Sequence, residues 1–187
     1  MTEELRNLCE GKIESNECFK VLQSFQKNKT PGNDGLAIKF YVAFWPLIGK
    51  HLVECVNYSF KFGELSNSQK QAIITLIEKK GKDQRLIKNW RPISLINVNT
   101  EIISKVLANR LEKVLPNLIH SNQNAFVKGR SIFDAVTSID DIVHYSKWNG
   151  WVGILVAIDF EKAFNTVNFN FLIRTLHKFH FGPSFIQ

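Results

Sequence analysis

Apolar positions return along this chain with two different periods, and the switches between them mark its elements. In residues 15–25, Phe19, Leu22 and Phe25 recur at helical spacing, with Ser15 placed to cap and Glu17 in the first turn. Residues 27–35 carry no such period and are rich in turn formers, with Lys27 and Lys29 at their start. Two helices are predicted next, over 36–44 and 46–60. Pro46 suits a first helical position and Gly63 ends the second helix. Residues 72–78 are apolar and β-branched, so they predict a strand, and 79–83 predict a turn. Residues 89–96 read as a returning strand or extended segment, which Pro92 keeps out of a central ladder position. Together they predict a β-hairpin over 72–96 with a long tip. A strong amphipathic helix is expected over 100–115, with Ile103, Val106, Leu107, Leu111 and Val114 on one stripe and Pro116 as its stop. A polar loop, 120–129, precedes Ser131 and Asp134, which suit a capping box for a helix reaching about residue 146. A last helix is predicted over 169–179, stopping near Gly182 and Pro183.

The segment between those last two helices is the most telling. The apolar run Ile154, Leu155, Val156, Ala157, Ile158 ends in Asp159, and a helix-like pattern follows. A short run of that kind predicts a fully buried strand. A carboxylate at its end sits at the mouth of a sheet, where a rigid element holds its geometry for metal binding or catalysis. The plainer reading is an aspartate that caps the next helix. Both readings stand on this segment taken alone.

Composition narrows the partners. Lys and Arg total 24 against 17 Asp and Glu, a net charge of +7 that favours a polyanion such as nucleic acid. No apolar segment reaches spanning length, so no membrane partner is expected. The first ten residues carry Glu3, Glu4, Arg6 and Glu10, which argues against a secretory signal. The three cysteines, Cys9, Cys18 and Cys55, are widely spaced and suggest a reducing, intracellular setting, nucleus or cytoplasm, without a zinc knuckle. His177 and His180 lack companion ligands nearby and read as surface or core residues.

The hairpin carries the second chemical signal. Lys79, Lys80 and Lys82 lie at its turn and Arg91 on its returning arm. Such cations attract phosphate, and arginine grips it bidentately. A lysine run is also the ordinary dress of a solvated turn. It gains meaning beside a strand-end carboxylate, because a nucleotidyl-transfer site needs one part to hold a triphosphate and another to hold Mg²⁺.

Six blocks then stand in order: residues 29–35 (Lys-Thr-Pro-Gly-Asn-Asp-Gly), 73–83, 89–95 (Asn-Trp-Arg-Pro-Ile-Ser-Leu), 105–111, 123–132 and 159–164 (Asp-Phe-Glu-Lys-Ala-Phe). Their order and spacing resemble the reverse transcriptase of non-LTR, LINE-type retrotransposons, across nearly the whole chain. The resemblance implies an α+β fold, the fingers of a right-hand polymerase and part of its palm. Residues 1–130 would be fingers-like, with the basic hairpin 72–96, and 131–187 the start of the palm. The implied function is RNA-directed DNA polymerase, adding dNTPs to a primer 3′-OH, with an RNA template, a DNA primer and Mg²⁺, or Mn²⁺ in its place. By the same resemblance Asp159 is the first catalytic carboxylate and metal ligand, and the Phe160 carbonyl helps hold an ion. Phe164 corresponds to the aromatic gate that packs under the sugar and rejects a ribose 2′-OH; without the resemblance it reads as a core aromatic. Lys79 or Lys80, with Arg91, corresponds to the residues holding the incoming triphosphate. Gln123, Gly129 and Arg130 correspond to a block lining the template–primer path.

Two departures qualify the match. Asn165 stands where the family commonly has Asp. The family's second block, an aromatic, one residue, then Asp-Asp, has no counterpart after Asp159. The pair Asp140-Asp141 precedes it, in a predicted helix, and reads as a solvated face. Two-metal catalysis needs carboxylates that bridge ions about 4 Å apart. The expectation is therefore a truncated chain, inactive alone, whose remaining palm and thumb come from a longer parent polypeptide. A non-catalytic retroelement remnant that binds nucleic acid is the alternative.

Overall fold

The structure is a computed structural model spanning residues 1–187, and it describes all of them except Glu161, Lys162 and Asn165. Its described elements are α1 (Glu3–Cys9), α2 (Ser15–Ser24), α3 (Ile38–Ala43), α4 (Trp45–Phe62), β1 (Ala72–Glu78), β2 (Trp90–Ile96), α5 (Val98–Leu118), α6 (Ile132–Trp148), α7 (Phe169–Lys178) and the short α8 (Pro183–Ile186). The chain is mixed helix with a small sheet, and it divides into two compact units. One, the hairpin unit, holds Glu10–Asn109 with Pro183–Phe185 and Gln187. The other, the Asp159 unit, holds Met1–Cys9, Arg110–Gly182 and Ile186.

In the hairpin unit the apolar stripes predicted from the sequence meet in one core. Cys18, Val21 and Leu22 of α2, Ile38 and Tyr41 of α3, and Val56 of α4 pack with Val98, Ile102, Ile103 and Val106 of α5. Burying a side chain such as Leu22 contributes about 1.5–3 kcal/mol. The cap of α2 is Glu14, one residue before the predicted Ser15, and the Glu17 carboxylate accepts the Glu14 backbone N–H at 2.9 Å. Pro46 lies in the first turn of α4, and Gly63 closes that helix, its N–H bonded to the Ser59 carbonyl at 2.9 Å.

β1 and β2 form the predicted hairpin, antiparallel, with Ala72 opposite Ile96, Ile77 opposite Arg91 and Glu78 opposite Trp90. Pro92 faces Leu76 in this two-stranded ladder, where a missing N–H is tolerated at an edge. Every residue of β1 is exposed, so the hairpin projects with both faces in solvent and is attached through its base. There Asn97, 2% exposed, is bonded on several sides. Its Oδ1 accepts the Asp34 N–H at 3.2 Å, its Nδ2 donates to the Ser68 carbonyl at 3.0 Å, and its carbonyl accepts the N–H groups of Thr100 and Glu101 at the start of α5. Next to it, Asp34 Oδ1 accepts the Leu36 N–H at 3.0 Å and Oδ2 accepts from the Tyr41 hydroxyl at 3.4 Å. Burial first, and then the Asp34 carboxylate, push the Tyr41 phenol up to about 12.

α5 corrects the expectation at Pro116. The helix runs past it to Leu118, and the Ile119 N–H still reaches the Leu115 carbonyl at 2.9 Å. A proline removes its own N–H and crowds the carbonyl four residues back. In a last turn that loss is confined to one bond, and the helix closes over it.

The Asp159 unit is packed more thinly. Cys9, Arg110, Val114, Val127 and Phe181 are buried, whereas α6 and α7 bury no described residue. α6 starts as predicted, Ser131 Oγ accepting the Phe133 N–H at 3.2 Å and Asp134 accepting the Ser131 N–H at 3.4 Å. Asn168 caps α7 by accepting the Phe171 N–H at 3.1 Å. The strand expected before Asp159 is absent: residues 151–160 have no regular secondary structure and are exposed throughout, Ile154 at 91% and Ile158 at 77%. A strand is defined by its ladder, and among the described residues the one sheet pairs β1 with β2 alone. The apolar run has the right residues without neighbours to bond to.

Candidate functional site

The hairpin tip is built by side chains that reach back to its own backbone. Lys79 Nζ donates to the Lys88 carbonyl at 2.8 Å, Asn89 Nδ2 to the Asp83 carbonyl at 2.8 Å, and Trp90 Nε1 to the Gln84 carbonyl at 2.8 Å. The Gln84 amide bonds the Glu78 carboxylate, and Arg85 pairs with Asp83 at 3.2 Å. A short 3₁₀ turn, Ile87–Asn89, leads into β2. The long tip is thus an ordered loop that presents Lys80, Lys82 and Arg85 to solvent, and Arg91 is exposed beside it on β2.

Register separates the two lysines the sequence left equal. Residues directly opposite in an antiparallel pair share a face, and faces alternate along each strand. Ile77 is opposite Arg91. The ladder continues one residue further, the Lys79 N–H meeting the Asn89 carbonyl at 2.8 Å. Lys79 therefore lies on the face of Ile77 and Arg91, a diagonal neighbour of Arg91, while Lys80 enters the turn. Of the three donors on the Lys79 ammonium, the Lys88 carbonyl takes one.

In the Asp159 unit, residues 119–130 fold around one guanidinium. Arg130 Nη1 donates to the carbonyls of His120 at 2.6 Å and Gln123 at 2.8 Å, and Nη2 donates to those of Pro116 at 3.2 Å and Ile119 at 2.8 Å. Arg130, whose block the resemblance sets along the template–primer path, here closes the C-terminal end of α5, whose last carbonyls have no intrahelical partner. Gly129 has φ +79°, and a Cβ built there would meet nothing within 4 Å. Its backbone conformation, rather than close approach within the chain, calls for glycine. Gln123 is exposed, its side chain donating to the Ala125 carbonyl at 3.3 Å.

Phe164 is 84% exposed and meets the edge of Phe126, ring centroids 6.3 Å apart at 88°. Phe126 has φ +62°, an uncommon state for a bulky residue. The structure so brings the 123–130 block and Phe164 together. Phe126 escaped the sequence reading because neither its strain nor its contact leaves a mark on composition.

Asp159 and Phe160 are exposed on the irregular segment. Asp140, on exposed α6, faces His144 at 3.7 Å, as a solvated helix face does. The reading of Asn165 lies outside the described residues, as do Glu161 and Lys162. Among the described residues no three His, Cys, Asp or Glu side chains gather to hold a metal. One carboxylate and one carbonyl do not amount to the octahedral oxygen shell of Mg²⁺. They do not make an ion site by themselves.

Comparisons with known proteins give this geometry its context. The family model described as reverse transcriptase (RNA-dependent DNA polymerase) matches residues 77–187. The chain is 39% identical, over 186 residues and 100% of its length, to the uncharacterized 149 kDa protein of transposon TX1 from Xenopus laevis, of which it covers 14%. It is 26% identical over 159 residues, 84% of the chain, to the 115 kDa protein described for type-1 retrotransposable element R1DM of Drosophila melanogaster, covering 15% of it. It is 24% identical over 173 residues, 91% of the chain, to the "Probable RNA-directed DNA polymerase from transposon BS" of Drosophila melanogaster, covering 19% of it. The chain therefore spans less than a fifth of the length of these relatives.

Proposed function

Because the chain belongs to the reverse transcriptase (RNA-dependent DNA polymerase) family, on the match across residues 77–187, we propose that it supplies the fingers and the start of the palm of a non-LTR retrotransposon polymerase. Residues 1–130 serve as fingers and 131–187 as the first part of a right-hand palm, inside the cell, in nucleus or cytoplasm. The reaction is attack of a primer 3′-OH on the α-phosphate of a dNTP paired with an RNA template, with pyrophosphate leaving. The remaining palm and thumb come from a longer polypeptide, as the length of the relatives supports.

The observation that carries this reading is the hairpin register. It puts Lys79 and Arg91 on one face, diagonal to each other, at the start of the family match. A point charge and a planar fork set side by side suit the non-bridging oxygens of a triphosphate. Lys79 is preferred to Lys80 because the Lys88 carbonyl holds its stem against the ladder. Gln123 and Gly129 line the template–primer path, and Phe164 lies beneath the sugar, a placement that its contact with Phe126 of the same block supports. Arg130 supports that path through the loop it closes, since four of its five N–H donors already meet carbonyls. Asp159 is the carboxylate to which a divalent cation, Mg²⁺ or Mn²⁺, would bind once further ligands complete the shell; the ion would then polarise the reacting phosphate.

Binding of inorganic triphosphate to the 187-residue chain tests the carrying observation. Lys79→Ala and Arg91→Ala should each weaken it about tenfold, the effect of losing one charge-assisted hydrogen bond, and Lys80→Ala much less. Equal binding by all three variants and the parent would overturn the assignment.

A further inference from the structure

The hairpin has exposed faces and therefore little packing to set its direction. What holds its base is the loop at residues 31–35. Asn33 Nδ2 donates to Gln71 Oε1 at 2.8 Å, immediately before β1. The Asp34 N–H donates to Asn97 Oδ1 at 3.2 Å, immediately after β2. Both strand ends are thus tied to one loop. Gly32 lies flat on the same residue: a Cβ there would fall under 3.0 Å from Asn97 Oδ1, the Asn97 nitrogen and the Ile96 carbonyl carbon. Only glycine permits that approach. Asn97 also ties the turn that feeds β1, through the Ser68 carbonyl, and starts α5 through its own carbonyl. The Thr100 hydroxyl adds a bond to the Gln69 carbonyl at 3.2 Å.

We propose that the loop 31–35, seated through Gly32, Asn33 and Asp34 on Asn97 and Gln71, is a clamp that fixes the direction of the basic hairpin against the helical core. Gly32 and Asn97 are positioning residues: they touch no phosphate and act through Lys79 and Arg91. That part rests on the triphosphate role proposed above; the mechanical part does not. A buried asparagine suits the task because its amide donates and accepts in fixed directions, so it binds two segments in one geometry. An apolar residue would fill the space and leave the Asp34 N–H and Ser68 carbonyl unpaired.

Distances between spin labels test the clamp. Cys55 is exposed on α4 and takes one label, while Cys9 and Cys18 are buried. A second label enters by Lys82→Cys at the hairpin tip or, as the control, by Gln23→Cys on α2. In the parent chain both distance distributions should be narrow. Asn33→Ala, at an exposed site that does not threaten folding, and Asn97→Asp, which keeps the acceptor and loses the donor, should broaden and shift the tip distribution while the control stays unchanged. Gly32→Ala should do the same. A tip distribution unchanged in all three variants overturns the proposal, and so does equal broadening of tip and control, which marks general loosening. Inorganic triphosphate binding, measured on the same samples, separates the two ideas. If the tip broadens and binding weakens in step, the clamp positions the phosphate-holding cations. If the tip broadens in the variants and the parent chain itself binds no triphosphate, the clamp stands and the triphosphate reading falls.

Discussion

Two apolar runs of similar character meet different fates in this molecule. Ala72–Glu78 becomes β1, whereas Ile154 to Ile158 stays outside any ladder and exposed. Both are short, β-rich and bounded by turn residues. The difference lies in what each can bond to. β1 finds β2 within the same stretch of chain, so the pairing is local and the register follows from one tip. The second run finds no partner among the described residues. The contrast extends to the units around them: the hairpin unit closes a core over four helices, while α6 and α7 of the Asp159 unit bury no described residue. Hydrophobic pattern declares that a segment wants burial; the ladder and the core decide whether it gets it.

Substitutions can sharpen or break that contrast. Leu22→Ala, at a fully buried site in the hairpin unit, should cost about 2–5 kcal/mol in denaturant unfolding. A cost near zero would mean that this core is not the source of stability. Arg130→Ala should destabilise by roughly 1–3 kcal/mol, since it frees four carbonyls, and Arg130→Lys should not restore it, because an ammonium cannot span the same four acceptors. Full rescue by lysine would show that charge, not the fork, matters there.

Tyr41 ties stability to pH. Its phenol, near 10 in the unfolded chain, is raised to about 12 in the fold. Between those values the folded state keeps a proton that the unfolded state has lost. Stability is therefore full below pH 10 and falls as pH rises toward 12. Tyr41→Phe should flatten that fall, as read by unfolding at several alkaline pH values. Ser131→Ala should cost about 1 kcal/mol as α6 loses its cap. Smallest of all, Val156→Ala, in the unpaired run, should stay within about 0.5 kcal/mol. A larger loss would mean that the run is packed after all, and the comparison would fail.

Much of the architecture was legible because its causes are local. The hairpin, α4 with Pro46 and Gly63, and α6 with Ser131 and Asp134 all rest on residues close in sequence. Pro116 misled because a proline's effect depends on how many turns remain after it. The strand before Asp159 misled because a ladder partner cannot be read from the run itself. The lysines and Arg91 are visible in the sequence as a cluster, but only the register shows that Lys79 shares a face with Arg91 while Lys80 enters the turn. Arg130 was visible as a cation, yet its partners are backbone carbonyls, which every residue carries and no pattern distinguishes. Asn97 was missed for a similar reason: its side chain joins segments 63 and 29 positions away.

The unpaired run has a consequence for how this chain behaves among its copies. Val152 to Ile158 carries no charge and no proline, has one glycine, and is open to solvent. That is the composition of segments that stack across molecules into cross-β fibrils, each copy offering its free N–H and C=O groups to the next. The feature that leaves Asp159 without a sheet should therefore lower the concentration at which the polypeptide stays dispersed, as light scattering across a dilution series would read. A single charge placed at Val156 would raise that concentration, at little expense to the fold of the monomer.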